Sequence, residues 1–460
     1  MQPAEPAPHA TRPPNILLIV SDDLGVGELG CYGQERIRTP NLDALAASGV
    51  RFEQAYSGSC VCAPSRCTLL TGFHTGHAAI RDNKELAPEG QEPLPPDSVT
   101  IAELLHARGY ATGAIGKWGL GPPGSPGDPA SQGFDSFFGY LCQRHAHNHC
   151  PSFLYRDGAR VELPGNAERP ANGVVTGGVY APDLFRDEAL AFVDAHAGAP
   201  FFLMFATPVP HLALQAPEDA IAAYRDSIPD APYDGSKGYL AHPEPRRAYA
   251  AMVSRMDADV GAILARLELR GIADDTLVIF TSDNGPTYTG GSDSAFFESA
   301  AGRRGLKGQL YEGGIRVPLI VARPGRVRAG AVSGAVTGNW DLFATIASAA
   351  GIEAGALPAG LDGIDLTPEL TGEGALTPRD ALYWEYPAGK GWQAARLGDW
   401  KAVRRNAKQS PPGAIELYDL ATDPTESRDV SLQQPEVLTR IEAIFGSRTT
   451  SPIREWNYAP

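Results

Sequence analysis

Two stretches far apart in the chain share one pattern. Asn15-Ile16-Leu17-Leu18-Ile19-Val20-Ser21 runs directly into Asp22-Asp23, and Thr276-Leu277-Val278-Ile279-Phe280-Thr281-Ser282 runs into Asp283-Asn284. Apolar residues at successive rather than alternate positions suit a strand covered on both faces, as in a parallel sheet flanked by helices. Ligands of open α/β sheets gather beyond the carboxyl ends of the strands, so the acids that end both runs stand where a site belongs. Phe201–Ala206 leads through Thr207-Pro208-Val209-Pro210 to His211, and residues 110–116 lead to Lys117. Four strands are therefore expected to deliver polar groups to one edge of a sheet.

Helices fill the gaps. Thr39-Pro40 opens one that Gly49 ends, and Thr100 with Glu103 has capping-box spacing before Leu104-Leu105. Residues 245–270 place Tyr249, Met252, Met256, Val260, Ile263 and Leu267 on one helical stripe, which reads as core packing. The expected fold is α/β, a large mixed, mostly parallel sheet sandwiched by helices. Past a turn-rich stretch at 368–378 come short strand-like pieces at 381–386, 392–397, 400–404 and 415–420, then a helix at 435–445. The expected organisation is a Pro/Ala-rich frayed start at 1–14, a main domain at 15–375, and a smaller unit at 376–460. Residues 122–131 and 158–178 are irregular and suit either pocket rims or surface linkers.

A net charge of −15 argues against nucleic acid and, weakly, against densely sulfated polyanions. No apolar run is long enough to span a bilayer. The opening residues read like the start of a mature chain after removal of a signal, which points to a periplasmic or secreted protein and leaves a cytosolic origin open. Six cysteines in 460 residues make no disulfide framework. Pairing of Cys142 with Cys150, or of Cys31 with another, stays open.

The stretch Cys60-Val61-Cys62-Ala63-Pro64-Ser65-Arg66-Cys67-Thr68-Leu69-Leu70-Thr71-Gly72 carries the chemistry. Pro64 suits the first turn of a helix and Gly72 the position past its end, so Cys62 would sit near a helix N-terminus, where an anion is favoured. Arg66, one turn on, adds a fixed positive fork. A buried inert cysteine, or a zinc site from Cys60, Cys62 and Cys67 with His74 and His77, are the plain alternatives. Neither accounts for Pro64-Ser65-Arg66 followed by Leu70-Thr71-Gly72. That string resembles the signature of the type I, formylglycine-dependent sulfatases. The resemblance extends over nearly the whole chain and includes a small C-terminal antiparallel sheet with a helix.

The resemblance implies that Cys62 is oxidised to formylglycine by a formylglycine-generating enzyme. The hydrated aldehyde would then attack sulfur with one hydroxyl and expel sulfate with the other. Asp22, Asp23, Asp283 and Asn284 offer hard oxygen ligands, a set that selects calcium or magnesium over zinc. The resemblance favours calcium, with residue 62 completing the shell. Gly116-Lys117-Trp118-Gly119-Leu120-Gly121 resembles a family segment that carries histidine where Gly119 stands. That histidine's role as the base for sulfate release passes to Gln143-Arg144-His145-Ala146-His147-Asn148-His149, with His147 favoured over His145. His211 is similar to the leaving-group histidine, and Lys307, before Tyr311-Glu312-Gly313-Gly314, to a sulfate-contacting lysine. The expected function is removal of sulfate from a sulfated small molecule or glycan. Trp392 and Tyr386 are candidates to stack on a sugar. Aryl or alkyl sulfates, phosphonate or phosphate monoesters, and non-catalytic binding of sulfate esters are the rivals.

Overall fold

The computed structural model describes residues 12–87, 90–166, 170–175 and 178–458. Most of the expected frayed start, residues 1–11, and part of the 158–178 stretch lie outside the described residues.

Ten strands form one mixed sheet in the order Ala331–Gly338, Val50–Tyr56, Leu319–Ala322, Thr276–Ser282, Asn15–Ser21, Phe201–Ala206, Ala111–Lys117, Ser136–Tyr140, Phe153–Arg156, Ala159–Glu162. The four strands that carry the expected site residues are neighbours and all parallel. Their carboxyl ends therefore share an edge. Ser21 lies opposite Ser282, and Ala206 opposite both Val20 and Gly116. Leu319–Ala322 runs antiparallel to both of its neighbours, and the last two strands form an antiparallel hairpin.

The central runs are apolar at every position because each face has its own core. Leu17, Ile19, Leu203, Phe205 and Phe280 pack against Ala181–His196 and Pro245–Leu269, whose stripe from Tyr249 to Leu267 is buried there. Ile16, Leu18, Val20, Phe202, Met204 and Ile279 face the other way, against Cys62–Thr71, Ile101–Ala107 and Asp341–Ala349. The Thr100 cap forms as a reciprocal pair: Glu103 N–H donates to Thr100 Oγ1 at 3.2 Å, and Thr100 N–H to Glu103 Oε2 at 2.7 Å.

A four-stranded antiparallel sheet follows, in chain order from Leu382–Tyr386 to Ile415–Asp419. One face packs on Pro435–Gly446 through Tyr383, Leu417, Ile441 and Phe445. The other, with Trp384, Val403 and Tyr418, joins Tyr56, Cys60 and Val61. Trp384 Nε1 donates to Ser57 O at 2.9 Å, and buried Glu385 accepts from Arg81 and Arg448 at 2.8 and 2.6 Å. The small sheet thus buttresses the loop that delivers Cys62.

Candidate functional site

The acidic turns meet because their strands are in register. Asp283 N–H donates to Ser21 O at 3.0 Å, Asp23 N–H to Asp283 Oδ1 at 3.2 Å, and Leu24 N–H to Ser282 Oγ at 3.0 Å. Asp23 is held at φ 64°, a region that side chains other than glycine rarely occupy, and its carboxylate is buried.

Cys62 is the first residue of the helix Cys62–Thr71, and all ten residues of that helix are buried. Val61 is extended, Gly72 at φ 76° closes the far end, and Ala63 N–H donates to Asn83 Oδ1 at 2.8 Å. Gly58 lies so close to the helix that a Cβ there would fall 1.6 Å from Thr68 Oγ1, which fixes the approach of the Cys62 loop.

Around Cys62 Sγ the groups interlock. Asp22 Oδ1 and Lys307 Nζ each lie 3.6 Å from the sulfur. Lys117 Nζ donates to Asp22 Oδ2 at 2.6 Å, and Lys307 Nζ to Asp23 Oδ2 at 2.9 Å. Arg66 forks onto Asp283 Oδ2 with Nε and Nη2 at 3.0 and 2.8 Å, and its Nη1 donates to Lys117 O at 2.5 Å. Asn284 Nδ2 donates to Asp23 Oδ1 at 2.8 Å, whereas its own Oδ1 is buried with no partner among the described residues.

Three buried carboxylates face two buried cations, Arg66 and Lys117, and the half-buried Lys307, and their titration diverges. Burial raises Asp23 against Lys307. It lifts Asp283, with the help of Asp22, to about 6. Burial also opposes ionisation of Asp22, but Lys117, His211 and Arg66 together pull it well below the carboxylate range. Burial lifts the Cys62 thiol to about 12 despite Lys117 and Lys307, so the unmodified sulfur is a poor thiolate. His211 is held neutral by burial and Lys307. Its Nδ1 lies 2.5 Å from Leu212 O, where it must donate, which leaves Nε2 as a lone-pair donor 3.6 Å from Asp23 Oδ2.

His147 stacks on His211, ring centroids 4.3 Å apart. His145 instead packs against Phe153 and Tyr140, at 4.3 and 5.0 Å. Gly119 is at φ 78°, and a Cβ there would fall 1.8 Å from Gln143 Nε2, so the Gln143 amide fills the space beyond residue 119. Gln143 Oε1 is buried without a partner among the described residues.

The zinc alternative is not assembled. His77 Nδ1 lies 3.0 Å from Asp362 and His74 stacks on His77, while Cys60 and Cys67 belong to neither group of metal-ligating side chains found among the described residues. None of the six cysteines is in a disulfide, so neither Cys142 with Cys150 nor Cys31 with another is bridged. Trp392 meets Tyr311 edge-on at 5.7 Å and lies in the seam under the small sheet, a packing position. Tyr386 is half-buried; burial pushes its phenol up, and Lys307 pulls it back. Tyr239 gave no sequence signal. It stands edge-on to His211 at 6.0 Å, 38 % exposed, with Lys307 and Asp23 acting on its phenol.

Parallel central strands whose ends gather carboxylates, a buried arginine and two lysines around the first residue of a helix suit a hydrolase of tetrahedral oxyanion esters. The chain belongs to the sulfatase family and is a sulfuric ester hydrolase. The sulfatase family model matches residues 14–352, and that for the C-terminal region of N-sulphoglucosamine sulphohydrolase matches residues 306–444. Human arylsulfatase A is 33% identical over 94% of this chain and 87% of its own length. N-acetylgalactosamine-6-sulfatase of Canis lupus familiaris is 35% identical over 86% of this chain and 72% of its own. The solved structure of Ps i-CgsB in complex with k-i-k-neocarrahexaose superposes with a TM-score of 0.80 at 28% identity, covering 97% of this chain and 95% of that one.

Proposed function

We propose that the chain removes sulfate from sulfated carbohydrates, using formylglycine made from Cys62 by a generating enzyme and a calcium ion. The carrying observation is that Cys62, inside the Cys-x-Pro-Ser-Arg string, opens a buried helix with Asp22 Oδ1 and Lys307 Nζ each 3.6 Å from its sulfur. Formylglycine would supply a hydrated aldehyde as nucleophile. Asp22, Asp23, Asp283 and Asn284 would hold calcium, which supplies Lewis-acid polarisation of the sulfate. Two features fit an ion. Asn284 Oδ1 is buried and unpartnered, and ligand atoms of Asp22, Asp23, Cys62 and His211 all lie within 4.8 Å of one another.

The residues divide the remaining work. The buried Lys117 and the half-buried Lys307 put two cations beside residue 62, where sulfuryl charge grows, and Arg66 holds Asp283 in place. His211 and Lys307 flank the leaving-group side; Lys307, kept protonated against burial by Asp23, hands its oxygen a proton, and the neutral His211 turns its Nε2 lone pair to the same side. His147 removes the proton that accompanies sulfate release. Tyr239 and Tyr288, 38 % and 63 % exposed, offer ring faces to a sugar. A solved relative in complex with k-i-k-neocarrahexaose supports the carbohydrate reading.

Three experiments test this. Released sulfate from defined sulfated sugars, matched aryl sulfates and matched phosphate esters should be greatest for sugars; dominant phosphoryl turnover would refute the proposal. Chelation should suppress turnover at least ~10-fold, and calcium should restore it and raise the unfolding midpoint, by about 2.7 kcal/mol at a hundred times Kd. An unmoved midpoint removes calcium from the proposal. His147→Ala should cost ~100-fold in kcat, while His145→Ala, whose ring packs on Phe153, should stay within about twofold. Equal effects would remove His147 as the base.

A further inference from the structure

At the sheet edge opposite the site lies a cavity of about 450 Å³ whose lining includes Arg12, Arg108, Arg323 and Arg326, with Ser348 and Thr371. Arg12 precedes the strand Asn15–Ser21, Arg108 precedes Ala111–Lys117, and Arg323 directly follows Leu319–Ala322, which runs the other way. No carboxylate lines the cavity, in a chain whose net charge is −15. Among the described residues no ion pair within 4.0 Å engages Arg12, Arg108, Arg323 or Arg326. Arg323 Nε is buried with no acceptor, and so is the hydroxyl of Tyr110, itself 3 % exposed. Arg323, Arg108 and Arg12 all act on that phenol, which burial nevertheless pushes up to about 12. Burial and Arg326 both disfavour the charge on Arg323, and Asp275 and Tyr110 offset them in part.

Guanidinium groups do not shed their protons at ordinary pH, so four lining one cavity with no carboxylate in its lining favour an anion there. We propose that this cavity is a non-catalytic site for a tetrahedral oxyanion: sulfate set free by the reaction, or a sulfo group elsewhere on a sulfated saccharide. Forked donors and hydroxyls suit such a group better than a carboxylate. The site lies behind the sheet, so its occupant does not compete with substrate at residue 62.

The test is calorimetric titration of the full chain with sodium sulfate. Wild type should bind two anions per chain, one at each edge. The Arg323→Gln, Arg326→Gln double variant should bind one, with the lost site weakened at least ~10-fold, as expected when charge-assisted donors are removed. Turnover of a small sulfate ester should stay within about twofold. Arg12→Gln, at an exposed residue ahead of the first strand, should weaken the same site without endangering the fold. A sulfated hexasaccharide that displaces sulfate from this site at ten times lower concentration identifies polymer docking; displacement only at matched sulfate concentration identifies free sulfate. Identical isotherms for wild type and both variants, binding of phosphate without sulfate, or loss of small-ester turnover in the double variant would each overturn the proposal.

Discussion

Cys62→Ala is expected to bring sulfate release down at least ~1,000-fold in kcat while leaving the fold intact. The asymmetry follows from what the side chain touches. Its sulfur makes no tight hydrogen bond; Asp22 and Lys307 lie 3.6 Å away, and the neighbouring ion pairs close without it. Removing one small buried atom group should cost about 1 kcal/mol. The helix Cys62–Thr71 stays anchored by Ala63, Cys67, Leu69 and Leu70 in the core. Chemistry, in contrast, has no second nucleophile: Cys60 is a buried thiol pushed above its ordinary range. The measurement is paired. Mass of the peptide containing residue 62 reports whether the thiol sulfur has become an aldehyde oxygen, and turnover follows the modified fraction. A fully unmodified wild type with full activity, or an alanine variant that retains it, would end the formylglycine reading.

The fold was legible where burial leaves a contiguous mark. Strands covered on both faces are apolar at every position, so Asn15–Ser21, Phe201–Ala206 and Thr276–Ser282 stood out, and the acids after them fell at one edge because parallel neighbours end together. The ends of Pro40–Ser48 and the cap of Ile101–Ala107 were equally readable, although the Thr39 side chain makes no cap bond and joins Gly30 and Asp43 instead. Contacts decided by loops were not. His145 and His147 share a short turn, and only the placement of Phe153 and His211 separates their surroundings. Trp392 looks available at the start of a strand of the small sheet until Tyr311 is seen against it. Tyr239 sits at φ 62° in a loop without periodicity, and Gln143 matters only because residue 119 lacks a side chain. The four arginines behind the sheet come from segments with no shared motif, so only the topology assembles them.

Arg66→Met should destabilise the protein by about 3–5 kcal/mol and abolish turnover, two losses with one cause. Arg66 is fully buried and spends two donors on Asp283 Oδ2 at 3.0 and 2.8 Å and a third on Lys117 O at 2.5 Å. Without it, Asp22, Asp23 and Asp283 remain with only Lys117 and Lys307, and Asp283 is left as a buried charge without its main partner. Adding Asp283→Asn removes that charge and keeps an oxygen for the Asp23 N–H, now 3.2 Å away. The double variant should therefore regain most of the lost stability, read as a urea midpoint moving back toward wild type at constant slope. Its turnover should stay absent, because the regained stability comes from deleting a carboxylate that the site uses. If the single variant unfolds at the wild-type midpoint, the Arg66–Asp283 pair is not the brace of this site. If the double variant recovers turnover, Asp283 has no part in the chemistry.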